Sequence, residues 1–317
     1  MANFIWFDDL DGTNIALTGG KGASLSKMTQ AQLPVPNGFV VSAPFFKEFL
    51  VKTGLMNKIL EIIESMDFDH FKSIEDDSAI IRNMIIAQPF PQELADEISN
   101  FYGTLGDETP AVAVRSSGTA EDLDDASFAG QQETFLYVLG EEDVMDKIKE
   151  CWASLYNGRA IFYRREKGFS EENVSIAVVV QKMVNSEKSG VMFTVNPITK
   201  DKDQVLVEAA WGLGEGVVSG IVTPDNYVID KNNHTALETY VSEKEVMVVR
   251  DPSLRGSVEQ EVPEAIRQSQ VLCETEINEL AAMAKRIEAF FGKPQDIEWA
   301  IEKNQLYLLQ SRPITTL

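Results

Sequence analysis

The sequence predicts an α+β protein of two lobes, because helix-like segments dominate its first half and strand-like segments dominate its second. At 317 residues, the chain is long enough for two packed lobes with a substantial core. We find no internal repeat, low-complexity tract or long linker in it. The change of pattern lies near residues 180–190, so we predict one lobe at 1–183 and the other at 184–317.

The composition excludes several classes of protein. It is 44% apolar and 25% charged, as in a globular protein in water, and 28 basic against 50 acidic residues give a net charge of −22. That field disfavours binding to nucleic acid or anionic membranes, and no basic patch interleaved with aromatic residues offsets it. A nucleotide ligand would need a local group of basic residues and a cation. Without a membrane span or a signal peptide, a cytoplasmic location is the default.

The first candidate site is a glycine-rich turn at residues 17–22, which precedes a helix-like run at 23–33. Glycines before a helix let the backbone approach an anion, and the free amides there favour negative charge. Lys21 could add a point charge, although a flexible turn with a surface lysine fits the same residues. The spacing is not that of a Walker A motif.

The chain then predicts a short buried strand at 39–41 and a series of helices. Ser42 can cap the first of them, whose aromatic residues have the spacing of a core face. The other helices are expected at 55–65, 77–87 and 91–105, with a charged connection and His70 between them.

The second candidate site follows a buried strand at 111–114, which would deliver Arg115 to its end. An arginine there is well placed to grip phosphate oxygens, while pairing with the nearby acidic residues is an equally good interpretation. The small and hydroxyl residues of 127–134 could fold over a ligand.

The second half reads mainly as strands between two helices. We predict helices at 142–166 and 263–291, and strands at 175–184, 190–195, 204–210, 226–230 and 235–249. A second glycine-rich turn at 211–216 could bind a dinucleotide, allow tight packing or form a moving loop.

The third candidate site is a terminal hairpin, in which strand-like runs at 296–302 and 305–312 flank Lys303-Asn304. Asp296 and Glu298 leave one face of the first strand, and Gln310 and Arg312 are again two residues apart. Carboxylates, an amide oxygen and a guanidinium suit a divalent cation and the phosphate it bridges. An ordinary solvated face is the alternative.

Register decides whether these groups meet. A two-residue loop pairs Glu302 with Gln305 and places Glu298 opposite Leu309, which scatters the polar groups. A loop of three or five residues pairs Glu298 with Gln310. A shared metal therefore requires the odd register, with a bulge or a positive φ near Asn304.

Several stretches, taken together and in order, resemble one known domain over essentially the whole chain. They are GGKGASL, PVPNGFVV, AVRSS, AEDLDDASFAGQQETFL, SGVMFTVNP, AAWGLGE, TPDNYVID, DIEWA and LLQSRP. The domain is the N-terminal ATP-grasp nucleotide-binding domain of phosphoenolpyruvate synthase, which pyruvate phosphate dikinase, rifampin phosphotransferase and phenylphosphate synthase share. The resemblance implies an ATP-grasp fold in which the nucleotide lies in the cleft between an N-terminal and a C-terminal lobe.

The resemblance also implies which residues handle the phosphates of ATP. Lys21 of GGKGASL and Arg115 of VRSS would hold them, and Gly130 and Thr134 of FAGQQET would belong to a loop closing over them. Arg312 of LLQSRP would contact the transferring phosphate. Lys21, Arg115 and Arg312 would thus be the catalytic cations.

By the same resemblance, Gln181 and Met183 match the segment beside the adenine. Glu298 of DIEW and Gln310 of LLQSRP would bind Mg²⁺, with Asp296 close by. Phosphoryl transfer needs positioning and charge neutralisation more than covalent help, so these groups suit it.

In that family a phosphohistidine on a separate swivelling domain accepts phosphate from ATP. Here the chain ends just after LLQSRP, and its histidines, His70 and His234, lie in loops without the expected Gly/Thr/Ser-rich motif. Our hypothesis is an excised domain or a separate subunit that binds MgATP and phosphorylates a histidine in trans. The alternative is a non-catalytic nucleotide-binding regulatory subunit.

Overall fold

The computed structural model describes residues 2–106, 109–119, 133–168, 175–251, 253 and 256–315. Helices and antiparallel sheets combine in it, which confirms the predicted α+β class. The chain forms two compact units, Met1–Gln30 with Asn37–Met183, and Ala31–Pro36 with Val184–Leu317. The predicted lobes assign residues 31–36 to the first lobe, whereas in the structure they pack with the second unit.

The first unit contains five strands and seven α-helices in the part of the chain that is described. In chain order they are β1 (Phe4–Trp6), α1 (Ile15–Gln30), β2 (Gly38–Val41), α2 (Ala43–Lys52), α3 (Leu55–Ser65), α4 (Phe71–Ala87), α5 (Gln92–Gly103), β3 (Val112–Gly118), β4 (Thr134–Val138), α6 (Glu141–Ser154), α7 (Gly158–Glu166) and β5 (Ile176–Lys182).

The second unit follows with strands that outnumber its helices. In chain order they are β6 (Lys188–Phe193), β7 (Gln204–Trp211), α8 (Glu215–Val218), β8 (Asp225–Asp230), β9 (Ala236–Tyr240), β10 (Val246–Arg250), β11 (Ser257–Glu261), α9 (Glu274–Phe291), β12 (Gln295–Glu302) and β13 (Gln305–Pro313).

The sheet of the first unit is antiparallel, with strand order β1-β2-β5-β3-β4. Alternation along its strands turns one set of side chains toward a core that is shared with helices α2 to α7. Trp152 of α6 is fully buried there, and the rings of Phe46 and Phe49 lie 5.0 and 5.1 Å from its ring. The aromatic residues of α2 are therefore core, as their spacing predicts.

The sheet of the second unit is also antiparallel, with strand order β13-β12-β6-β7-β8-β9. Helix α9 covers one of its faces, where apolar side chains of β12 and α9 such as Trp299 and Leu280 are fully buried. Two ion pairs fasten the helix to the sheet, Lys188 to Glu276 at 2.7 Å and Lys231 to Glu288 at 3.2 Å.

Strands β10 and β11 form a separate hairpin, which packs on the second glycine-rich turn. The backbone N–H of Leu213 donates to the carbonyl of Val248 at 2.7 Å. Gly212 has φ 83°, and a Cβ there would lie 2.2 Å from that same carbonyl oxygen. Of the three interpretations of this turn, the structure supports tight packing.

The predicted helix at 142–166 is wrong in extent, because it is broken into α6 and α7. Asn157 lies between them, and its side chain accepts a hydrogen bond from the N–H of Ala160 at 2.8 Å. This cap starts a new helix, since it satisfies one of the first free amides. Helix α4 likewise starts at Phe71, within the stretch predicted as a connection, and His70 precedes it as an exposed residue paired with Asp67.

The prediction of one helix over 263–291 is also wrong in extent. A short 3₁₀ turn at Glu264–Ile266 comes first, and α9 begins at Glu274. The N–H of Cys273 donates to the carboxylate of Glu276 at 2.8 Å, in a reciprocal cap that fixes this start. The predicted strand at 235–249 is two strands, β9 and β10, that belong to different sheets.

Candidate functional site

The first glycine-rich turn is packed firmly against strand β3. Helix α1 includes the turn, but its backbone is non-helical at Gly19, with φ 69° and ψ 177°. A Cβ at Gly19 would lie 2.2 Å from Oγ of Ser117. That hydroxyl donates to the carbonyl of Thr18 at 2.8 Å and accepts from the N–H of Gly22 at 3.2 Å. The helix thus begins before the predicted 23–33, and the turn is not the flexible alternative.

Lys21 and Arg115 are brought to the same stretch of β3. Nζ of Lys21 donates to the backbone carbonyl of Ser116 at 3.0 Å, and Arg115 is the preceding residue. Arg115 was predicted to end its strand, which is wrong: β3 runs on to Gly118, with Arg115 in its middle and 8% exposed. Thr134 of β4 lies directly opposite Arg115.

Gln181 lies on the same face of this sheet as Arg115. Arg115 pairs with Val179 and Ala113 with Gln181, so Gln181 is one step further along that face. Gln181 is 2% exposed, and its Nε2 has no hydrogen-bond partner among the described residues. A buried amide donor in that state costs about 1–3 kcal/mol unless an acceptor arrives.

Of the two other predicted site residues of this unit, the structure describes one. Met183 directly follows β5 and is half-buried, and its N–H donates to the carbonyl of Ala111 at 2.9 Å. Gly130 lies outside the described residues. The structure therefore brings Lys21, Arg115 and Thr134 together, with Gln181 nearby on the same face.

The terminal hairpin has the predicted pairing but reaches it by another route. Its loop has two residues, with Glu302 opposite Gln305, and both Lys303 and Asn304 have positive φ, 50° and 61°. This is the geometry of a tight hairpin turn. The requirement for a longer, odd loop was therefore wrong.

A β-bulge further along the hairpin supplies the shift of register. Trp299 pairs with Leu308 and Glu298 with Gln310, so Leu309 is the extra residue on β13. Beyond the bulge, Asp296 pairs with Arg312. Without it, the two-residue loop would turn Gln310 toward the face covered by α9.

The register aligns polar side chains in a row across the face of the sheet opposite α9, which we call the polar face. Directly paired residues of antiparallel strands point to the same side, and the pairings continue from β13 to β8. The polar row consists of Gln310, Glu298, Val191, Glu208 and Asn226.

Asp296 and Arg312 lie in the next row and bind each other. Nε and one terminal nitrogen of Arg312 both donate to Oδ2 of Asp296 at 2.8 Å. Burial raises the pKa of the Asp296 carboxyl, the guanidinium lowers it, and the charge of Glu298 raises it further, with a net rise. The guanidinium therefore does not fully offset the effects of burial and of the Glu298 charge on the pKa of Asp296.

Glu208 is the residue that sequence reasoning missed. It is half-buried, and no hydrogen bond or ion pair joins its side chain to the described residues. Burial raises the pKa of its carboxyl, and the negative charge of Asp296 raises it further. A signal was available, since Glu208 is a lone carboxylate in the otherwise apolar run Val205 to Ala210.

The donor set on the polar face fits a hydrated divalent cation. Glu298 and Gln310 supply a carboxylate and an amide oxygen from adjacent strands, the oxygen types that Mg²⁺ prefers. Within the described ranges no three His, Cys, Asp or Glu side chains form a metal cluster. The protein would thus supply only part of the coordination, as is usual where phosphate and water complete it.

Comparison with known families assigns nearly the whole chain to one family. Residues 15–317 match the family model of the pyruvate phosphate dikinase AMP/ATP-binding domain. The chain therefore belongs to this family of nucleotide-binding domains, as its motifs indicate. In the part of the structure that is described, no helix is long and apolar enough to cross a bilayer.

The curated relatives share close to half of their residues with this chain. A probable phosphoenolpyruvate synthase of Methanothermobacter thermautotrophicus is 48% identical over 316 residues, covering 98% of this chain and 46% of that protein. The phosphoenolpyruvate synthase of Pyrococcus furiosus is 45% identical, covering 98% and 44%. For a probable phosphoenolpyruvate synthase of Methanocaldococcus jannaschii the values are 47%, 98% and 26%. The chain thus spans less than half the length of these relatives.

Among solved structures, a phosphoribosylglycinamide synthetase from Anaerococcus prevotii aligns with 68% of this chain and 35% of its own. The TM-score is 0.26 and the identity 11%, a likeness too weak to support an argument.

Proposed function

We propose that this chain binds and cleaves MgATP and passes phosphate to a histidine on another domain or subunit, as the nucleotide-binding part of a phosphoenolpyruvate synthase-like phosphotransferase. The observation that carries the proposal is the pairing of Glu298 with Gln310 on the polar face, next to Arg312. The family match to an AMP/ATP-binding domain supports it. An ATP-grasp mode of nucleotide binding is part of the proposal.

The first unit would bind the phosphates and the base. Lys21 and Arg115 are fixed at the same stretch of β3, so their charges are positioned before the ligand arrives. Thr134, which lies opposite Arg115, would contact the phosphates from β4. The unpaired amide nitrogen of Gln181 can donate to an acceptor of the adenine, with Met183 beside it.

The second unit would hold the metal and the transferring phosphate. Glu298 and Gln310 would bind Mg²⁺, which, when bound, neutralises charge on the phosphoryl oxygens. Arg312 is 67% exposed and is oriented by Asp296, so it can turn its free donors toward a phosphate. These roles need no covalent step on the chain itself, because the accepting histidine lies elsewhere.

The test compares two lysines of the same helix. Calorimetric titration with MgATP should show at least about tenfold weaker binding for Lys21→Ala, because a charge-assisted contact is lost. Lys27→Ala removes an equal charge from α1 further from the turn and should bind as the wild type does. Unchanged affinity in Lys21→Ala would contradict the proposal.

A second measurement separates transfer from binding. The chain is mixed with a histidine-carrier domain of a phosphoenolpyruvate synthase and ATP labelled at the β- or γ-phosphate. Label on the carrier histidine, abolished by Glu298→Gln, is the expected result. Tight MgATP binding with no label transferred would instead favour the regulatory subunit.

A further inference from the structure

We propose that Glu208 is a positioning residue of the metal site, whose carboxylate accepts hydrogen bonds from water bound to a divalent cation held by Glu298 and Gln310. The inference rests on the proposed function and adds a residue to it. Three observations carry it: the place of Glu208 in the polar row, its lack of a partner, and the limited number of direct ligands.

The register places Glu208 where it can act on that ion. Glu298 and Glu208 both pair with Val191, one from each side, so they point to the same face across two strand spacings, about 10 Å. Only the short side chain of Val191 stands between them. Two glutamate side chains can rise above a valine and approach the same volume.

The distance favours a contact through water. The described residues contain no group of three carboxylate, histidine or cysteine side chains that could share a metal, so Glu208 is not assigned as a direct ligand. Mg²⁺ gives up its water reluctantly and usually keeps several molecules when bound. Such water donates strongly, and a carboxylate beyond the direct ligands is its usual acceptor.

Among the described residues, the Glu208 carboxylate lacks the lysine partner that three other carboxylates of this unit have. On the other face of the same sheet, Asp225 and two carboxylates of α9 have lysines within 2.6 to 3.2 Å. The side chain of Glu208 has no ion pair or hydrogen bond to any described residue, although the residue is half-buried. The guanidinium of Arg312 is engaged by Asp296. Asn226, next in the row, directs its amide donor to the carbonyl of Pro224 at 3.3 Å. A hydrated cation would supply the missing donors.

The experiment measures metal affinity directly. Mn²⁺ binding to the full chain is followed by electron paramagnetic resonance, in the presence of a saturating non-hydrolysable ATP analogue. Glu208→Gln should bind Mn²⁺ about tenfold more weakly, the lower end of the effect of removing an outer partner of a metal site. Glu238→Gln, on the exposed edge strand β9, removes an equal charge and should stay within twofold of the wild type.

Two further readouts exclude a merely structural effect. Glu208→Gln should melt no lower than the wild type and should bind the nucleotide without metal equally well. Glu208→Asp keeps the charge on a shorter side chain and should lose less Mn²⁺ affinity than Glu208→Gln. If the glutamine variant does not fold, the aspartate variant tests the inference alone. Unchanged affinity for Mn²⁺ in the aspartate variant would then overturn it.

The outcomes separate this inference from the proposed function. Wild-type affinity for Mn²⁺ in Glu208→Gln overturns the role of Glu208 and leaves the proposed function standing. A wild-type chain that binds neither metal nor nucleotide overturns both.

Discussion

The two faces of the six-stranded sheet treat charge in opposite ways. On the face covered by α9, carboxylates are paired with lysines, and one pair is fully buried. These pairs are Asp225 with Lys244, Glu276 with Lys188 and Glu288 with Lys231. Asp225 also accepts hydrogen bonds from Ser242, Tyr227 and Val271.

The polar face holds Asp296, Glu298 and Glu208, and the guanidinium of Arg312 binds Asp296. Burial on both faces is substantial, so burial does not distinguish them. The balance of charge does: the α9 face pairs its carboxylates with lysines, whereas on the polar face the Glu208 side chain has no ion pair among the described residues. Three predictions test this contrast.

The largest effect is expected at the buried pair. Lys244→Met leaves Asp225 fully buried without its cation, which should lower the free energy of unfolding of the second unit by about 3–5 kcal/mol. Denaturant unfolding measures the change, and Lys293→Met, an exposed lysine after α9, is the control. Adding Asp225→Asn should recover part of the loss, and a loss below about 1 kcal/mol would count against a structural role for the pair.

The second prediction concerns acid. Burial alone would raise the pKa of Glu276, but hydrogen bonds from Lys188 and from Cys273 outweigh it and hold the pKa below 4.5. The unfolded chain therefore binds more protons in this range, so the stability contributed by Glu276 is present above pH 4.5 and is lost as the pH falls below it.

Melting temperatures from pH 6 to pH 3 check this dependence. At pH 6 the melting temperature of Glu276→Gln should be lower than that of the wild type, and the two should converge as the pH falls. The melting temperature of the exposed Glu274→Gln should keep a constant difference from that of the wild type. If the melting curves of both variants ran parallel to that of the wild type, Glu276 would not contribute the pH-dependent stability expected of the α9 face.

The smallest effect has the opposite sign and belongs to the polar face. The folded pKa of Glu208 is raised, so ionisation costs stability as the pH rises through it. Without added metal, Glu208→Gln should therefore raise stability at neutral pH by about 0.5 kcal/mol, because it removes a half-buried charge and, in smaller part, its repulsion by Asp296. A fall in melting temperature would show that the carboxylate stabilises the fold.

The sequence alone predicts the α+β class, the elements with strong hydrophobic periodicity and the polar residues of the terminal hairpin. The residues that start α7 and α9 were harder to find, because Asn157 and Cys273 act through single caps inside runs that are helical in composition. Register was decided by Leu309, an apolar residue in an apolar run, which alternation cannot reveal as a bulge. Glu208 was missed because the strand around it reads as interior.

Residues 31–36 carry a lesson for protein engineering. Within the second unit, Leu308 beside the bulge donates to the carbonyl of Pro34 at 2.8 Å, and Arg286 of α9 donates to that of Ala31 at 3.0 Å. The polypeptide consequently passes from one unit to the other three times, after Gln30, Pro36 and Met183. Cutting the gene once, at 183, would remove residues 31–36 from the C-terminal fragment, together with the hydrogen bonds that they make beside its hairpin. Chimaeras between relatives should exchange that hexapeptide together with the C-terminal fragment.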